Sequence, residues 1–428
     1  MAGREEELEL TTSIVSLASY SDELSLLARE WLQQTGWHFS SQEISTSLAQ
    51  GRCHLLTKDL GDGHRALLLA FPGTENVRDA KVDLRMKAVP FGGASVPEFI
   101  KAAQENRKST ALPLVHKGFD DYTMAAVFQA PADTALFGRK GTLGEQLAAE
   151  LKDNPDEILL LTGHSLGGAA ATLTTARLSD MGVRPQQLRV ITFGAPAVGD
   201  ERFARRYETK MDLTRVVMDG DPIAAALQSL GTRYVQFGRK ERWQQNRSSA
   251  RFEHEMVVYL DDALRSYFHV VQSQGDLQSR MIESHPKQAN GGIFVTMPMI
   301  QADPLLTEDT DDIRTVLRGS WQKRYTPCVL DDEEDEEMGQ ALPALCQAAK
   351  RSGCKYVIQQ VLTTKRIREE TYNFRIVLET TIYDTKGNLL AAESKSTTAS
   401  RMTPLEAVLY LEFLSMQDLD LVFGVQNT

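Results

Sequence analysis

The chain has 428 residues, of which 42% are hydrophobic and 25% are charged, and its formal net charge is -11. This composition is typical of a folded globular protein and excludes wholesale disorder, a collagen-like fibre and a coiled-coil rod. The acidic balance predicts no nucleic-acid partner, because a phosphate binder normally presents a basic face.

The first residues and the cysteine content bear on the compartment in which the protein works. The start, Met-Ala-Gly-Arg-Glu-Glu-Glu, is acidic and lacks the apolar core of a secretory leader. It fits a cytoplasmic protein, or a secreted or cell-envelope protein whose leader has been removed. The four cysteines form no C-x-x-C pair, which argues against a zinc ribbon or a thioredoxin-type site and leaves none, one or two disulfides open.

Short apolar runs alternate with longer amphipathic segments along the first two thirds of the chain. The predicted helices are residues 10–36, Val96–Arg107, Gly144–Leu151, Leu166–Leu178 and Glu255–Gln272. The predicted strands are Cys53–Leu56, Ala66–Phe71, Ile158–Thr162, Leu188–Phe193, Leu213–Met218 and the less regular Tyr234–Phe237. Strands that are apolar on both faces and alternate with helices indicate an α/β fold, with a mostly parallel sheet covered on both sides.

Residues 276–292 are polar and contain glycine, which predicts a linker between a domain at 1–275 and a smaller α/β domain at 293–428. In the second segment we predict helices near Asp311–Arg318, Gln340–Arg351 and Pro404–Phe413, and strands at Ile293–Met299, Lys355–Lys365, Thr371–Tyr383 and Asn388–Thr397. Because the linker separates two unlike halves, residues 1–275 are expected to fold alone. The acidic run Asp331–Glu337 lacks EF-hand spacing and is interpreted as a solvated loop rather than a calcium site.

The strongest motif is Gly163-His164-Ser165-Leu166-Gly167-Gly168, a G-x-S-x-G pattern between a buried-strand run and a small-residue helix. A strand, a sharp turn and a helix in this order raise the Ser165 hydroxyl above the edge of the sheet. Gly163 and Gly167 lack β-carbons and let the strand and the helix approach around the serine. A glycine turn that happens to contain serine is the alternative. His164 is interpreted as a packing residue beside the pocket rather than a second base.

A serine nucleophile needs a base and an acid that orients the base. Of the three histidines that follow Ser165 in the chain, His254 opens a helix after a polar loop, whereas His269 lies inside that helix and His285 lies in the linker. We therefore predict His254 as the base. The predicted acid is Asp221, which follows the Leu213–Met218 strand and is stiffened by the next residue, a proline; Asp219 is the rival.

The developing oxyanion of an acyl-transfer reaction needs two hydrogen-bond donors. The backbone N–H of Leu166 is the first predicted donor. The second is Thr74, which follows a predicted strand and can donate through its N–H and its hydroxyl; Asp79 or Asp83 could hold that hydroxyl. A simple turn-capping role for Thr74 is the alternative.

With these residues in place, the segment from about 60 to 270 resembles the class 3 lipases, the fungal-type triacylglycerol lipase family of α/β-hydrolases. The similar segments are Phe71-Pro72-Gly73-Thr74, His116-Lys117-Gly118-Phe119, Gly163-His164-Ser165-Leu166-Gly167-Gly168 and Thr192-Phe193-Gly194-Ala195-Pro196-Ala197-Val198-Gly199. Asp221-Pro222 and His254, with Tyr259 nearby, stand where the family keeps its acid and base. The residues after 293 are only vaguely similar to small α/β domains of bacterial envelope-assembly proteins.

The chain departs from the family pattern at three places around the predicted pocket. Pro72 replaces the usual arginine, Ala80 stands where a tryptophan is common, and Ala224–Ala226 replace a second proline. These departures bear on the oxyanion loop and the acyl pocket, and therefore on the substrate.

The residues and the resemblance together predict a serine hydrolase that cleaves acylglycerols or related acyl esters through an acyl-enzyme, without a metal or a cofactor. The same groups could cleave phospholipid acyl esters or thioesters, and an inactive scaffold that binds lipid or protein is the non-enzyme alternative. The expected partners are an acyl ester or lipid substrate and, transiently, a lipid surface. The sequence does not identify the partner of the C-terminal segment.

The insert from Leu84 to Val115 is long for a plain connection and contains a short amphipathic helix pattern that begins at Val96-Pro97. Val96, Phe99 and Ile100 share one face of that helix. In class 3 lipases a helix in this part of the chain covers the serine and opens at a lipid surface, so the resemblance implies a lid. A helix that simply packs on the sheet is the alternative.

Overall fold

The structure is a computed structural model. It describes residues 4–20, 25–45, 50–61, 63–73, 87–108, 110–129, 137–223, 234–245, 252–274, 286–331, 341–368, 372–400 and 402–425. We call residues 4–274 the N-terminal part and residues 286–425 the C-terminal part. Among the described helices, none has the length and apolar character needed to cross a membrane.

The chain begins with two helices, α1 (Arg4–Ala18) and α2 (Leu26–Gln34), where one helix over residues 10–36 was predicted. The single-helix prediction is wrong because Ser25 starts a new helix: its hydroxyl accepts a hydrogen bond from the Ala28 N–H. The prediction used only the spacing of apolar residues, which does not reveal a helix start at Ser25.

Seven strands form the first sheet, in the order β1-β2-β3-β6-β7-β8-β9. Their bounds are β1 His38–Ser45, β2 Gln50–Asp59, β3 Arg65–Phe71, β6 Ile158–His164, β7 Leu188–Phe193, β8 Asp212–Met218 and β9 Arg239–Trp243. The first three strands are antiparallel, and β3, β6, β7, β8 and β9 are parallel. The predicted mostly parallel sheet is therefore confirmed, while β4 (Ala88–Pro90) and β5 (Leu114–His116) form a separate ribbon.

The edge strand β9 lies where the sequence predicted none. The prediction at Tyr234–Phe237 is wrong, since only Tyr234 forms an isolated bridge and the strand begins at Arg239. Strand β9 reads Arg-Lys-Glu-Arg-Trp and is half exposed at the edge of the sheet, so it has no apolar pattern to detect.

Helices cover both faces of the first sheet. They are α3 (Val96–Ala103), α4 (Lys117–Thr123), α5 (Leu143–Asp153), α6 (Leu166–Asp180), α7 (Glu201–Tyr207) and α8 (Met256–Gln274). In strand β3, Leu67 and Leu69 pack with α4 to α7, whereas Leu68 points to the opposite face and packs with α1 and α8. Burial on both faces explains why the parallel strands are continuous apolar runs.

The C-terminal part contains a second, mixed sheet. Five of its strands lie in the order β12-β10-β13-β14-β15, and β11 also pairs with β13. Its strands are β10 Lys287–Val295, β11 Met299–Gln301, β12 Tyr325–Leu330, β13 Cys354–Arg366, β14 Phe374–Asp384 and β15 Leu389–Thr398. Its helices are α9 Thr310–Arg324, α10 Leu342–Arg351 and α11 Pro404–Leu419. Strands β14 and β15 form a hairpin, and the Asp384 carboxylate accepts hydrogen bonds from two N–H groups of its turn.

The predicted linker does not separate two cores. Strand β10 begins at Lys287, inside the predicted linker at 276–292, and residues 275–285 lie outside the described residues. One continuous core contains Leu68 and Leu160 of the first sheet together with Val316 of α9 and Phe374 of β14. The division of the chain at 276–292 stays a prediction, but the expectation that 1–275 is self-sufficient conflicts with this shared core.

Buried ion pairs and rings also join the two parts. The Lys323 ammonium lies 4.1 Å from the ring centre of Trp31 and 4.5 Å from that of Tyr267, and it pairs with Glu7 at 3.5 Å. Burial lowers the pKa of Lys323, while Glu7 opposes this shift. Arg324 pairs with Glu30 at 3.1 Å. Helices α1, α2 and α8 are thereby fixed to α9.

The four cysteines, Cys53, Cys328, Cys346 and Cys354, are all free thiols. Of the acidic run at 331–337, only Asp331 belongs to the described residues.

Candidate active site

Ser165 lies in the turn between β6 and α6 with φ +55° and ψ -120°, a left-handed backbone that residues other than glycine rarely adopt. A β-carbon on Gly163 would overlap the backbone of Gly167, and one on Gly167 would overlap the Phe71 carbonyl. The strand–turn–helix geometry is the one that the motif predicted. Ser165 is buried in this turn, with 6% of the residue exposed.

Asp221 and His254 form a buried pair next to this turn. His254 Nδ1 lies 2.8 Å from Asp221 Oδ2, and the Tyr259 hydroxyl donates to the same oxygen at 2.6 Å. The Ile223 N–H donates to Oδ1 at 2.8 Å. These donors compensate a carboxylate that is almost removed from water.

Asp219, the rival acid, is placed differently. Its carboxylate is 44% exposed and lies 3.6 Å from the Arg242 guanidinium, with no contact to His254 among the described residues. The geometry therefore favours Asp221 over Asp219 as the partner of His254.

His254 Nε2 is buried and makes no hydrogen bond within the described part of the chain. The His254 ring lies 4.5 Å, centre to centre, from the ring of His164, which directly precedes Ser165. The unbonded nitrogen is thus held beside the elbow, where a serine proton could be accepted. In structures without substrate, the hydrogen bond between a catalytic serine and its histidine is often long or poorly aligned.

The first predicted oxyanion donor, Leu166, begins helix α6 directly after Ser165. The second, Thr74, lies outside the described residues, as do Asp79 and Asp83. The preceding Gly73 is described, and it approaches the elbow because Phe71 pairs with Gly163 in the parallel register of β3 and β6. The loop that carries Thr74 therefore starts beside the serine turn.

Tyr20 is a site residue that the sequence reasoning missed. It follows α1, and its hydroxyl lies 2.6 Å from His164 Nδ1. Burial and the nearby His254 lower the pKa of His164 well below its usual value, so this imidazole is neutral at neutral pH. No motif around Tyr20 indicated the contact, because the two residues are 144 positions apart.

His116 of the His-Lys-Gly-Phe segment caps helix α4, where its Nδ1 accepts a hydrogen bond from the Phe119 N–H at 3.4 Å. Burial lowers the pKa of His116 to about 4. In the same helix, Asp120 pairs with the buried Arg177 of α6. This segment fixes α4 against α6 and has a structural role.

The predicted lid helix is present as α3, but its buried face does not point to the serine. Phe99 is 1% exposed and packs edge-to-face on Phe128, while the Arg177 guanidinium lies 4.3 Å from the Phe99 ring centre. Arg177 lies about three turns along α6 from Ser165, about 18 Å at 1.5 Å per residue. The packing alternative therefore describes α3 in this structure, whereas opening of this helix at a lipid surface stays a prediction. Residues 84–86 of the insert lie outside the described residues.

Among the described residues, one group of carboxylates lies close enough together to share a cation. It consists of Glu5, Glu9 and Glu241, next to the edge strand β9. Burial and Glu241 raise the pKa of Glu9 to about 10, so Glu9 holds a proton. Arg189 contacts Glu5 at 2.8 Å, and Arg239 contacts Glu241 at 2.7 Å. Protons and arginines already balance this group, which gives no indication of a metal.

Comparison with known proteins identifies the family of the central segment. Residues 68–229 match the family model described as Lipase (class 3). The family recognised from the motifs is thus confirmed for this segment, which is less than half of the chain.

Curated relatives match the same region. Over 232 residues the chain is 28% identical to phospholipase A1-Igamma1 of Arabidopsis thaliana, which covers 50% of this chain and 40% of the relative. A lipase of Caenorhabditis elegans is 45% identical over 65 residues, 15% of this chain and 18% of that protein. The chain thus spans less than half the length of these relatives.

Among solved structures, lipase II from Rhizopus niveus aligns with 56% of this chain and 78% of its own, at 19% identity and a TM-score of 0.40.

Proposed function

We propose that this chain, whose residues 68–229 match the class 3 lipases, is a serine hydrolase of acyl esters in glycerolipids. One observation carries the proposal: the buried Asp221–His254 pair, with His254 Nε2 unbonded among the described residues, lies next to a serine held at φ +55°. A serine in a strained turn, an imidazole with an unbonded nitrogen and a buried carboxylate have no evident structural need for one another. Together they are the groups that nucleophilic acyl transfer requires.

In the proposed reaction, the Ser165 hydroxyl attacks the ester carbonyl carbon while His254 Nε2 takes its proton. The carbonyl oxygen becomes negative and is stabilised by the Leu166 N–H and by Thr74. When the tetrahedral intermediate collapses, the C–O bond to the alcohol breaks and His254 returns the proton to that alcohol. Water then attacks the acyl-enzyme while His254 takes its proton; the acyl C–O bond to Ser165 breaks, His254 returns the proton to the Ser165 oxygen, and the carboxylic acid is released. Asp221 orients His254 and stabilises its charged form.

Two classes of substrate fit this chemistry, neutral acylglycerols and phospholipids. The phospholipase A1 name of the Arabidopsis relative supports the second class, and the lipase name of the nematode relative supports the first. Both have the same scissile bond, a carboxylic ester to glycerol, so the proposal covers both and a substrate series separates them.

The test combines covalent labelling with a substrate series. A fluorophosphonate probe should label the wild-type chain at Ser165, and Ser165→Ala should abolish labelling and lower the ester hydrolysis rate by about 10⁴–10⁶. Esters from C2 to C16, presented dispersed and in micelles, should give the acyl preference, and tri-, di- and phospho-glycerides the head-group preference. A folded wild-type protein that neither reacts with the probe nor hydrolyses any of these esters would instead be a binding scaffold, and the proposal would be refuted.

A further inference from the structure

We infer that Tyr20 is a positioning residue for the proposed oxyanion hole, holding the serine turn, which carries the Leu166 N–H, against the backbone of Gly73. The inference rests on the proposed ester hydrolysis. Tyr20 touches no reacting atom in this account and acts through its neighbours.

The first contact of Tyr20 is with the serine turn. Its hydroxyl is 2.6 Å from His164 Nδ1, and the two rings are 6.0 Å apart at 54°. His164 directly precedes Ser165 and Leu166, so its ring is attached to the backbone that carries the first proposed donor. The Ser165 N–H is itself fixed to the Phe193 carbonyl at 2.9 Å.

The second contact is with the loop that leads to Thr74. The Tyr20 hydroxyl occupies the space in which a Gly73 β-carbon would lie, and the His164 carbonyl is 2.8 Å from the same point. Only glycine at position 73 leaves room for the tyrosine hydroxyl, and Gly73 directly precedes the second proposed donor. One side chain thus contacts both the serine turn and the backbone that follows β3.

Hydrogen bonds fix the end of α1, and therefore Tyr20, relative to the serine turn and to Gly73. The Ser16 hydroxyl lies 3.0 Å from that of Thr162 in β6, and the Ala18 carbonyl lies 3.3 Å from His54 Nε2 in β2. The neutral state of His164 also matters, because a charge there would oppose the positive charge that His254 gains during the reaction. A tyrosine hydroxyl can hold a neutral imidazole without adding charge beside His254.

The variant Tyr20→Phe keeps the ring and removes the hydroxyl. We expect kcat to fall about 10- to 100-fold with KM nearly unchanged, since a displaced donor weakens stabilisation of the transition state more than substrate binding. A trifluoromethyl ketone, which forms a tetrahedral oxyanion with serine, should lose affinity by the same factor. The matched control is Tyr207→Phe, which removes a hydroxyl bonded to Asp180 and far from the site along the chain; its kcat should not change.

Active sites are counted with the fluorophosphonate probe, so kcat refers to folded enzyme even if part of a variant misfolds. A double-mutant cycle adds a second measurement: Gly73→Ala should cost less activity in the Tyr20→Phe background than in the wild type, because the added methyl group collides with the hydroxyl.

Wild-type kcat and inhibitor affinity in Tyr20→Phe, or a rise in KM alone, would overturn the inference while leaving the proposed function intact. An additive double-mutant cycle would also overturn it. A wild-type protein without Ser165-dependent hydrolysis would refute the proposed function first, and the inference with it.

Discussion

Removing residues 276–428 should leave the N-terminal part unable to fold. The truncation uncovers Trp31, Tyr267 and Phe268, which are at most 2% exposed in the whole chain and lie in the core that both parts share. It also removes Lys323, the partner of the buried carboxylate of Glu7. Because the uncovered side chains belong to helices that support the first sheet, their exposure acts on the site-bearing part.

The size of the effect follows from the side chains uncovered. Exposing a large apolar side chain costs about 1.5–3 kcal/mol, so the three rings together account for about 5–9 kcal/mol. Domains are stable by about 5–15 kcal/mol in total. The loss of the rings alone is thus comparable to the whole free energy of unfolding.

The assay compares residues 1–275 with the full chain by soluble yield, dye binding to exposed apolar surface and cooperative thermal unfolding. A monomeric, soluble 1–275 that unfolds cooperatively near the full-length temperature would refute the argument. Two full-length variants serve as controls. Lys323→Ala removes the ion-pair partner of the buried Glu7 and should cost about 3–5 kcal/mol, whereas Arg205→Ala breaks an exposed pair with Glu201 and should cost less than about 1 kcal/mol.

Three further predictions concern the proposed acid, a buried carboxyl group and helix α3. Asp221→Asn should lower kcat by about 10⁴ while Asp219→Asn changes it little, because only Asp221 contacts His254; the reverse ranking in steady-state kinetics would make Asp219 the acid. Burial raises the pKa of Glu412 to about 8 from 4.5, so the fold favours the protonated acid and its contribution to stability is lost as pH rises from about 4.5 to about 8. Glu412→Gln mimics the neutral acid. In denaturant titrations, the free energy of unfolding of the variant should therefore rise relative to that of the wild type across this pH range, by at most about 5 kcal/mol. A difference between the two that stays constant with pH would contradict the assignment. Phe99→Asp should destabilise the protein by more than about 3 kcal/mol and Ile100→Asp, 41% exposed, by less than about 1 kcal/mol; equal losses in thermal unfolding would show that α3 is not packed as described.

Local patterns in the sequence were sufficient for the elbow and for the Asp221–His254 pair. The strand before Ser165 is apolar on both faces, and the glycines around the serine indicate that two backbone segments come close together there. The Asp221 prediction depended on the end of a strand, on the following proline and on the order serine, acid, histidine along the chain. Such signals lie within a few neighbouring residues or in their order along the chain, so they can be recognised in a single sequence.

Contacts between distant segments had no such signal. The pattern Val96-Pro97-Glu98-Phe99-Ile100 correctly predicted a helix with Phe99 on its apolar face, but not which surface that face meets. The buried cation Arg177, which lies between the Phe91 and Phe99 rings, had no apolar signature. Amphipathic spacing identifies a buried face and leaves its partner undetermined.

Helix α8 shows why the shared core matters for the proposed chemistry. The helix begins two residues after His254 and carries Tyr259, which holds Asp221. Two turns further on, about 12 Å along the axis, Tyr267 contacts Lys323 of the C-terminal part. Since an α-helix is stiff over this length, the C-terminal part fixes the same element that holds the proposed acid and base. The C-terminal part therefore supports the proposed site through α8.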